Sequence, residues 1–446
     1  MNRVYSESEK RNTNVVLIAL DTLRADHMSC YNYRLETTPG IDEIAKEGVL
    51  FERCISPAIP THPGYTTIFT GASPLRHGVV CHRGVHALPE DILSISQMLY
   101  KEGFLTVAID NLTATGAHWF SRGYEYYIFS GGTTVLSGGY KITGEITTKK
   151  ALNFLNLWRE GRFGRKPLFM FIHYWDPHAP YFPPPPFRGT FYQPNEKMKS
   201  IKALMMKTVW GRNLLKGWVR KVVKERDDKA YLDSLYDEEI LYADDQVSKV
   251  ISWLKDAEVY DETIVVITAD HGELLGEHNI FYDHHGLYEG DIHVPLIIKS
   301  PNLPRDVRVK GFVTHEDIVP TILQLLGIRT DVKFEGSPLI EAVYRGESER
   351  EFVVSLENTR MTKRAIRTRK WKLIQTMRPD VYGNPAGHLE LYNLKRDPEE
   401  KENLADSEEE ILKDMVFKLE HWYRRMLGGN PDPLTTQPIS MPIRPK

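Results

Sequence analysis

The stretch that decides the fold runs from Asn14 to His27 and is written NVVLIALDTLRADH. Residues 15–20 are all apolar, which is typical of a strand buried on both faces of a sheet. Asp21 follows directly. A carboxylate at the end of a buried strand is costly unless it binds a cation or caps the next helix, and the stretch leaves both roles open for Asp21.

Four further short apolar runs have the same character, and they cover residues 105–109, 168–172, 264–268 and 294–298. Helical patterns separate the runs, such as ILSISQMLYKEG and DDQVSKVISWLKDAEV. This alternation predicts an α/β sandwich with a central, largely parallel sheet. Ligands of such sheets bind beyond the carboxyl ends of the strands, so the polar residues found there are the first candidates for a site.

The composition is that of an ordinary globular protein, with 446 residues, 41% hydrophobic and 26% charged. The formal net charge of -3 gives no reason to expect a nucleic-acid partner. Three cysteines, Cys30, Cys54 and Cys81, are too few for a disulfide framework and suit a reducing compartment. The start of the chain is polar and its first apolar run is short, so a soluble, cytoplasmic protein without a transmembrane segment is expected.

The length favours one large domain with a smaller one. We place a catalytic α/β domain at residues 1–355 and a C-terminal α+β subdomain at residues 356–446. In the subdomain, RAIRTRKWKLIQT and HLELYNL predict antiparallel strands, and SEEEILKDMVFKLEHWYRRML predicts a closing amphipathic helix.

Residues 182–230 interrupt the α/β alternation. A proline-rich exit, FPPPPFRGT, leads into the basic stretch KMKSIKALMMKTVWGRNLLKGWVRKVVKER, which predicts an inserted pair of helices. We interpret the basic face as a solvated surface. A lid over the site, an oligomer contact and a membrane-surface helix are the alternatives.

A second strand-end carboxylate lies in TIVVITADHGELLGEH, where Asp270 and His271 follow the run 264–268. Adjacent Asp and His residues can supply an oxygen and an imidazole to one divalent ion. Two strand-end carboxylates in one sheet therefore favour a metal site over two unrelated helix caps.

The stretch PTHPGYTTIFTG places Thr61 after Pro60 and before a helical run that stops at Gly71. Thr61 is therefore expected near a helix N-terminus, where the dipole and free N–H groups favour an anion. A threonine hydroxyl attacks an ester only when a metal or an adjacent base activates it. An ordinary N-cap hydroxyl is the alternative, and the two roles are compatible.

Histidines cluster in two loops. FMFIHYWDPHAPYFPP contains His173 and His178, and FYDHHGLYEGDIHVPLII contains His284, His285 and His293. Gly and Pro punctuate both loops, where functional residues concentrate. His293 alternates with the apolar run that follows it, so we interpret it as structural.

Together these motifs resemble the sulfatase family of the alkaline phosphatase superfamily. NVVLIALDTLRADHMSCYNY resembles the family's opening metal-binding strand, PTHPGYTTIFTGASPLRHGV its nucleophile helix, and HYWDPHAPY its histidine loop. TADHGELLGEHNIFYDHHGLYEGDIHVPLII resembles its second metal segment, and VTHEDIVPTILQLLGI, RAIRTRKWKLI and ELYNLKRDPEEKENL resemble its late segments. The resemblance implies an alkaline-phosphatase-like fold, a divalent metal, and cleavage of a sulfate- or phosphate-type ester through a covalent intermediate.

The sequence departs from this family at the nucleophile. Sulfatases carry Cys or Ser in a C/S-x-P-x-R motif, and that residue is oxidised to formylglycine. Here Thr61 falls on the nucleophile, with Pro63 in place and Tyr65 where the arginine should be. Cys54 is excluded, because the residues after it put proline one place too late. Threonine cannot become formylglycine, so a sulfated Thr61 would need water to attack sulfur, whereas a phosphorylated threonine can be resolved at phosphorus.

The pair Asp270-His271 points the same way, because phosphonate monoester hydrolases have Asp-His where sulfatases usually have Asp-Asn. We therefore predict a metal-dependent hydrolase of phosphodiesters or phosphonate monoesters, working through a phospho-threonine at Thr61. The alternatives are an arylsulfatase-like sulfuric ester hydrolase without formylglycine, a phospho-group transferase and a non-catalytic relative. The expected partner is a small-molecule phosphate, phosphonate or sulfate ester, and a homo-oligomer is left open.

Carried over position by position, the resemblance gives Asp21, Thr61, Asp270 and His271 as metal ligands. One imidazole with several oxygens suits Mn²⁺ or Zn²⁺ better than Ca²⁺ or Mg²⁺. Thr22 stands where the family has a second acidic residue, which weakens the expectation of a calcium-type oxygen cage. A second metal is left open.

The remaining candidates are residues that would contact the ester. His178 matches the family's histidine near the leaving or bridging oxygen. The family's anion-binding lysine falls on His284, while related transferases place a histidine before glycine, which fits His285, so both are kept as catalytic candidates. His82 and Asn111 fall near secondary anion contacts and are candidate substrate-binding residues.

Overall fold

The computed structural model describes residues 13–82, 88–131, 143–194 and 198–439. Its strands are β1 (Asn14–Leu20), β2 (Val49–Ile55), β3 (Ala58–Ile59), β4 (Leu105–Asp110), β5 (Tyr126–Phe129), β6 (Leu168–Tyr174), β7 (Thr263–Thr268), β8 (Leu274–Leu275), β9 (Phe281–Asp283), β10 (His293–Val294), β11 (Leu296–Lys299), β12 (Val307–Thr314), β13 (Phe352–Asn358), β14 (Thr362–Thr368), β15 (Trp371–Thr376) and β16 (Leu389–Asn393).

The α-helices are α1 (Pro39–Lys46), α2 (Thr61–Thr70), α3 (Pro74–His77), α4 (Ile95–Lys101), α5 (Gly144–Arg159), α6 (Ile201–Met205), α7 (Val209–Leu214), α8 (Val219–Glu225), α9 (Lys229–Asp256), α10 (Glu289–Ile292), α11 (Ile318–Leu325), α12 (Ile340–Arg345), α13 (Glu409–Leu427) and α14 (Pro433–Thr436). Short 3₁₀ turns cover Ala25–His27, Ser29–Tyr31, Leu112–Thr115, His118–Ser121, Glu277–Asn279 and His315–Asp317.

The large sheet has the order β10-β2-β11-β7-β1-β6-β4-β5, with β12 paired to β2. Five of its strand pairs are parallel and three are antiparallel. Every residue of β1 is buried, as expected for a strand in the middle of the sheet. The prediction of an α/β fold with a central, mostly parallel sheet is confirmed.

The register of this sheet brings three strand ends together. β1 lies between β6 and β7, with Leu20 opposite Tyr174 and Ala19 opposite Thr268. The predicted strand at residues 294–298 is divided into β10 and β11 at Pro295, because proline has no N–H to donate to a ladder. Its second half pairs antiparallel to β7.

The inserted segment is helical, but it forms three short helices, α6, α7 and α8, rather than a pair. Hydroxyl N-caps start the first two, since Ser200 accepts from the N–H of Ala203 and Thr208 from that of Gly211. Residues 229–256 then form the single long helix α9, of which the predicted helical pattern is the C-terminal half.

The second sheet has the order β16-β15-β14-β13-β3, and α13 packs against it through Met415, Leu419 and Tyr423. Strand β3 comes from the N-terminal part of the chain, with Ala58 opposite Leu356 of β13. The predicted boundary at 355/356 falls inside β13, and the division into two domains stays a prediction. In the part of the chain that the structure describes, no helix is both long and apolar enough to cross a membrane.

Candidate active site

Two carboxylates and an imidazole converge at the carboxyl end of the large sheet. Asp21 follows β1, and Asp270 and His271 follow the neighbouring strand β7. One ligand atom from each of the three lies within 4.8 Å of the others. All three residues are fully buried. The register of two adjacent parallel strands therefore produces the grouping that the sequence predicted.

Each carboxylate of this group has at least one oxygen without a hydrogen-bond partner among the described residues. Asp21 Oδ1 and Asp270 Oδ2 are buried and have no hydrogen-bond partner among the described residues. Burial, and then the charge of Asp21, raise the pKa of Asp270 well above its ordinary value. Two buried carboxylates at this spacing are stable in ionised form only beside a cation, so the residues fit a divalent metal.

His271 offers the correct nitrogen to such a metal. Its Nδ1 lies 3.0 Å from the carbonyl oxygen of Gly272, which can only accept, so Nδ1 carries the proton and Nε2 keeps its lone pair. Nε2 faces the carboxylate of Asp270 at 3.2 Å. Burial, followed by the nearby His284, lowers the pKa of His271 well below its ordinary value, which keeps the ring neutral.

Thr61 is the first residue of α2, and its Oγ1 lies 3.4 Å from Nε2 of His271. Asp21, Asp270 and His271 are called the metal group below. The helix approaches this group closely because residue 64 is glycine. A Cβ at Gly64 would lie 3.1 Å from both the Cβ and the carbonyl oxygen of Asp270. Thr61 therefore joins the other three predicted ligands, with its hydroxyl at the positive end of a buried helix.

Thr22 contributes through its backbone rather than its side chain. Its φ of 61° is unusual for a β-branched residue. This conformation points the Thr22 N–H at Asp270 Oδ1, at 3.3 Å, while the Thr22 carbonyl accepts from Tyr236 at 2.8 Å. Strain stored at Thr22 thus orients one of the two carboxylates.

His173 is a site residue whose role the sequence did not reveal. It lies on β6 opposite Ala19, with Nε2 3.4 Å from Asp21 Oδ2 and Nδ1 2.7 Å from Asp110 Oδ1. Burial alone would lower the pKa of His173, but the hydrogen bonds to Asp110 and Asp21 raise it to about 9. One signal in the sequence could have indicated this role. His173 lies in an otherwise apolar strand, and the neighbouring strand β1 is followed directly by Asp21.

The structure distinguishes the roles of His284 and His285, which the sequence left open. The ring of His284 lies 4.1 Å from that of His271 and 5.5 Å from that of His178, measured between centroids. His285 is fully buried, with Nε2 2.8 Å from the Tyr382 hydroxyl and Nδ1 3.4 Å from Asp283 Oδ2. His284 therefore lies beside the metal group, whereas the ring of His285 contacts Tyr382.

His284 is held as a cation. Its Nδ1 lies 3.2 Å from Glu273 Oε1, and the carboxylate of Asp283 is close by. Burial would lower the pKa of His284, but the hydrogen bond to Glu273 and the charge of Asp283 outweigh it and raise the pKa to about 9. An imidazolium can bind an anionic ester in place of an ammonium group.

His178, His82 and Asn111 lie around the same group. His178 Nδ1 donates to the Ala179 carbonyl, which leaves Nε2 as the nitrogen for a substrate atom. Asn111 follows β4 and accepts from the indole N–H of Trp175, whose ring lies 5.7 Å from that of His178. The ring of His82 lies 4.7 Å from that of His62, the residue after Thr61, and burial lowers the pKa of His82 well below its ordinary value.

Arg360, between β13 and β14, reaches the site from the second sheet. Its Nε lies 2.9 Å from Asp283 Oδ2, and its guanidinium carbon lies 4.1 Å from the centre of the Trp210 ring. No motif in the sequence indicated Arg360, because the turn between β13 and β14 reaches the site only through the long-range pairing of β3 with β13. Arg360 links the loop that carries His284 to the inserted helices.

The chain matches the family model described as sulfatase over residues 13–328. It belongs to the sulfatase family. Residues 276–425 also match the model for the C-terminal region of N-sulphoglucosamine sulphohydrolase. Enzymes of this family are ester hydrolases that bind a divalent metal, which agrees with the group formed by Asp21, Asp270 and His271.

Two curated relatives match most of the chain. An N-acetylglucosamine-6-O-sulfatase of Bacteroides thetaiotaomicron is 22% identical, covering 96% of this chain and 89% of its own length. An arylsulfatase of Clostridium perfringens is 24% identical, covering 89% of this chain and 91% of its own length.

Solved structures show the same fold. One, of a protein in complex with its substrate D-glucosamine-2-N,6-O-disulfate, is 22% identical, has a TM-score of 0.74, and covers 95% of this chain and 99% of its own. The phosphonate monoester hydrolase of Agrobacterium radiobacter is 19% identical, has a TM-score of 0.72, and covers 93% of this chain and 95% of its own. At these identities the likeness establishes the alkaline-phosphatase-like fold alone.

The prediction of phosphodiester or phosphonate monoester hydrolysis through a phospho-threonine is wrong. The two curated relatives named above are sulfatases, and they favour the alternative, a sulfuric ester hydrolase. The error has a physical reason. The prediction rested on Thr61 and on the pair Asp270-His271, yet cations and a divalent metal would bind a tetrahedral sulfate as well as a phosphate.

Proposed function

We propose that the protein hydrolyses a sulfate monoester of a carbohydrate, with Thr61 as the nucleophile. The observation that carries the proposal is the position of His284, whose ring lies 4.1 Å from that of His271 and whose Nδ1 lies 3.2 Å from Glu273 Oε1, in a site that also contains the Thr61 hydroxyl. The carbohydrate is proposed from the sulfated glucosamine substrates of the similar proteins.

The charges of the site suit a sulfate ester. A sulfate monoester carries one negative charge spread over three oxygens, and the pKa values of His284 and His173, raised to about 9, favour the protonated forms of both rings. The N-terminus of α2 adds a partial positive charge. A bound Mn²⁺ or Zn²⁺, held by Asp21, Thr61, Asp270 and His271, would supply Lewis acidity that lowers the pKa of the Thr61 hydroxyl.

The chain's own residues then perform two substitutions at sulfur. Thr61 Oγ1 releases its proton to solvent and bonds to sulfur as the bond from sulfur to the sugar oxygen breaks, and the imidazolium of His178 gives that oxygen a proton from Nε2. Water next attacks the sulfur of the threonine sulfate, the bond from sulfur to Thr61 Oγ1 breaks, and sulfate leaves. One proton of that water returns to His178 and the other to Thr61 Oγ1. No aldehyde is required, because water rather than a hemiacetal releases the sulfate.

The proposal is tested with p-nitrophenyl sulfate, bis-p-nitrophenyl phosphate and glucosamine 6-sulfate. We expect turnover of both sulfates to exceed that of the phosphodiester. Thr61→Ala should lower kcat by at least about 10³-fold, while Thr61→Ser keeps measurable activity. Acid quenching during turnover should trap one SO₃ group on the peptide that contains Thr61.

Thr70→Ala is the matched control, because Thr70 belongs to the same buried helix and its hydroxyl donates to the Thr66 carbonyl. It should change stability but not turnover. Faster hydrolysis of the phosphodiester, or an active Thr61→Ala enzyme, would refute the proposal. The cytoplasmic location and a homo-oligomer stay predictions.

A further inference from the structure

The inserted helices carry an uninterrupted excess of positive charge. Residues 198–224 contain eight Lys and Arg residues and no Asp or Glu, although the whole chain has a formal net charge of -3. All eight basic residues are exposed. A charge distribution this uneven creates a local positive potential, whatever the net charge of the protein.

These cations are not neutralised within the described part of the chain. None of the eight forms an ion pair there, whereas the flanking Glu225 pairs with Arg188. Arg226, just beyond the segment, lies over the ring of Tyr192 at 4.8 Å. The segment's cations are therefore available to an external anion.

Most large apolar side chains of the segment are buried or half-buried. Ile201, Met205, Val219 and Val222 are fully buried, whereas Met198 and Met206 are exposed. A helix that lies in a membrane surface needs a continuous exposed apolar face beside its basic face. Two exposed methionines do not form such a face, so the segment fits a soluble polyanion better than a bilayer.

The segment lies against the site. The indole N–H of Trp210 in α7 donates to the Phe281 carbonyl at 3.1 Å, and Phe281 begins the strand that leads to His284. Trp218 contacts Tyr181, which lies three residues after His178, with ring centroids 5.1 Å apart. Both loops that carry candidate catalytic histidines thus support the inserted helices.

We infer that residues 198–224 form a docking surface for a polymeric sulfated carbohydrate, whose further sulfates bind the exposed cations while one sulfate occupies the site. The inference rests on the proposed function. The cations are spread over three helices and the links beside them, so a single sulfated sugar cannot contact them all, whereas a polymer can.

The first experiment measures binding without turnover. In the Thr61→Ala background, the affinity for dextran sulfate is compared between two quadruple alanine variants. The docking variant replaces Lys207, Arg212, Lys216 and Arg220. The control variant replaces four other exposed cations, Lys101, Lys149, Arg159 and Arg165.

We expect the docking variant to raise the Kd for dextran sulfate by about tenfold or more, and to weaken its dependence on salt. The control variant should change the Kd less than about threefold. Equal losses in the two variants would overturn the inference. So would anionic phosphatidylserine vesicles or duplex DNA that bind more tightly than dextran sulfate through the same four residues.

The second experiment measures turnover in the otherwise unmodified enzyme. The ratio of kcat/KM for a heparin-type polymer to kcat/KM for p-nitrophenyl sulfate should fall about tenfold in the docking variant. An unchanged ratio would overturn the inference. If no sulfate is released from either substrate, the proposed function fails, while the binding experiment still tests the surface.

Discussion

The two ends of the central sheet both bury charge, but they satisfy it differently. At the carboxyl end, oxygens of Asp21 and Asp270 have no hydrogen-bond partner among the described residues. At the amino end, the ammonium of Lys299 donates to the backbone carbonyls of Tyr260 and Thr263 and lies 4.0 Å from the centre of the Tyr260 ring. The charge of Lys299 is satisfied by groups of the chain itself, whereas the charges of Asp21 and Asp270 need a bound cation.

This difference separates a structural charge from a functional one. Lys299 occupies a position where two carbonyls and an aromatic face replace water. Asp21 and Asp270 are held together by strand register, although each raises the free energy of the other. A fold keeps such an arrangement when binding a cation compensates for it, so unsatisfied buried oxygens indicate the site more reliably than burial alone.

Asp270→Asn should have the largest effect on this comparison. The substitution keeps the shape and the oxygen that accepts from the Thr22 N–H, but it removes one of two charges. We expect metal affinity to fall by at least about 100-fold, since losing only an indirect partner of a metal costs 10- to 100-fold. Turnover should fall with it, while the metal-free variant should unfold at the same or higher urea concentration than the metal-free wild type, because repulsion from Asp21 is gone.

Asp317→Asn is the matched control. Asp317 is also fully buried, but it accepts from the N–H groups of Thr314 and Ser337 and pairs with Arg350. Its loss should lower the free energy of unfolding by about 1–3 kcal/mol and leave metal affinity unchanged. If the two variants behaved alike in metal titration and urea unfolding, the distinction between the two kinds of buried charge would be wrong.

Substitution of the adjacent histidines should have a smaller effect. His284→Gln removes a cation beside the metal group, so KM for p-nitrophenyl sulfate should rise about 10- to 100-fold. His284→Lys should recover part of the loss, because it restores a positive charge near Glu273 and Asp283. Steady-state kinetics of the two variants measure this.

His285→Gln is the comparison that can break this assignment. His285 binds the Tyr382 hydroxyl and lies near Asp283, so its loss should mainly lower the melting temperature. A larger rise in KM for His285→Gln than for His284→Gln would show that the geometry assigns the wrong histidine to the anion.

The sequence predicted what strand register determines. Five apolar runs became strands, and because β1 and β7 are neighbours, Asp21, Asp270 and His271 had to meet. It could not choose between His284 and His285, because contacts from distant segments, Glu273 and Tyr382, decide which ring faces the site. Nor could one hydroxyl, Thr61, identify the atom that is attacked, since the anion is recognised by charge.

Lys299→Met should have the smallest effect and tests the satisfied end of the sheet. Burial lowers the pKa of Lys299 to about 8, below its ordinary value near 10.5, so between these pH values the unfolded chain binds more protons than the folded one. Stability from this group therefore rises as pH increases from 8 to 10.5 and is lowest below pH 8. The free energy of unfolding of wild type minus that of Lys299→Met should increase on the order of 1 kcal/mol across this window.

Urea unfolding at several pH values measures this difference. Turnover at pH 7 should not change, because Lys299 lies at the opposite end of the sheet from Thr61. If this difference in unfolding free energy did not vary with pH, the carbonyls of Tyr260 and Thr263 would satisfy the ammonium completely. The contrast between Lys299 and the pair Asp21 and Asp270 would then be greater than the lowered pKa of Lys299 indicates.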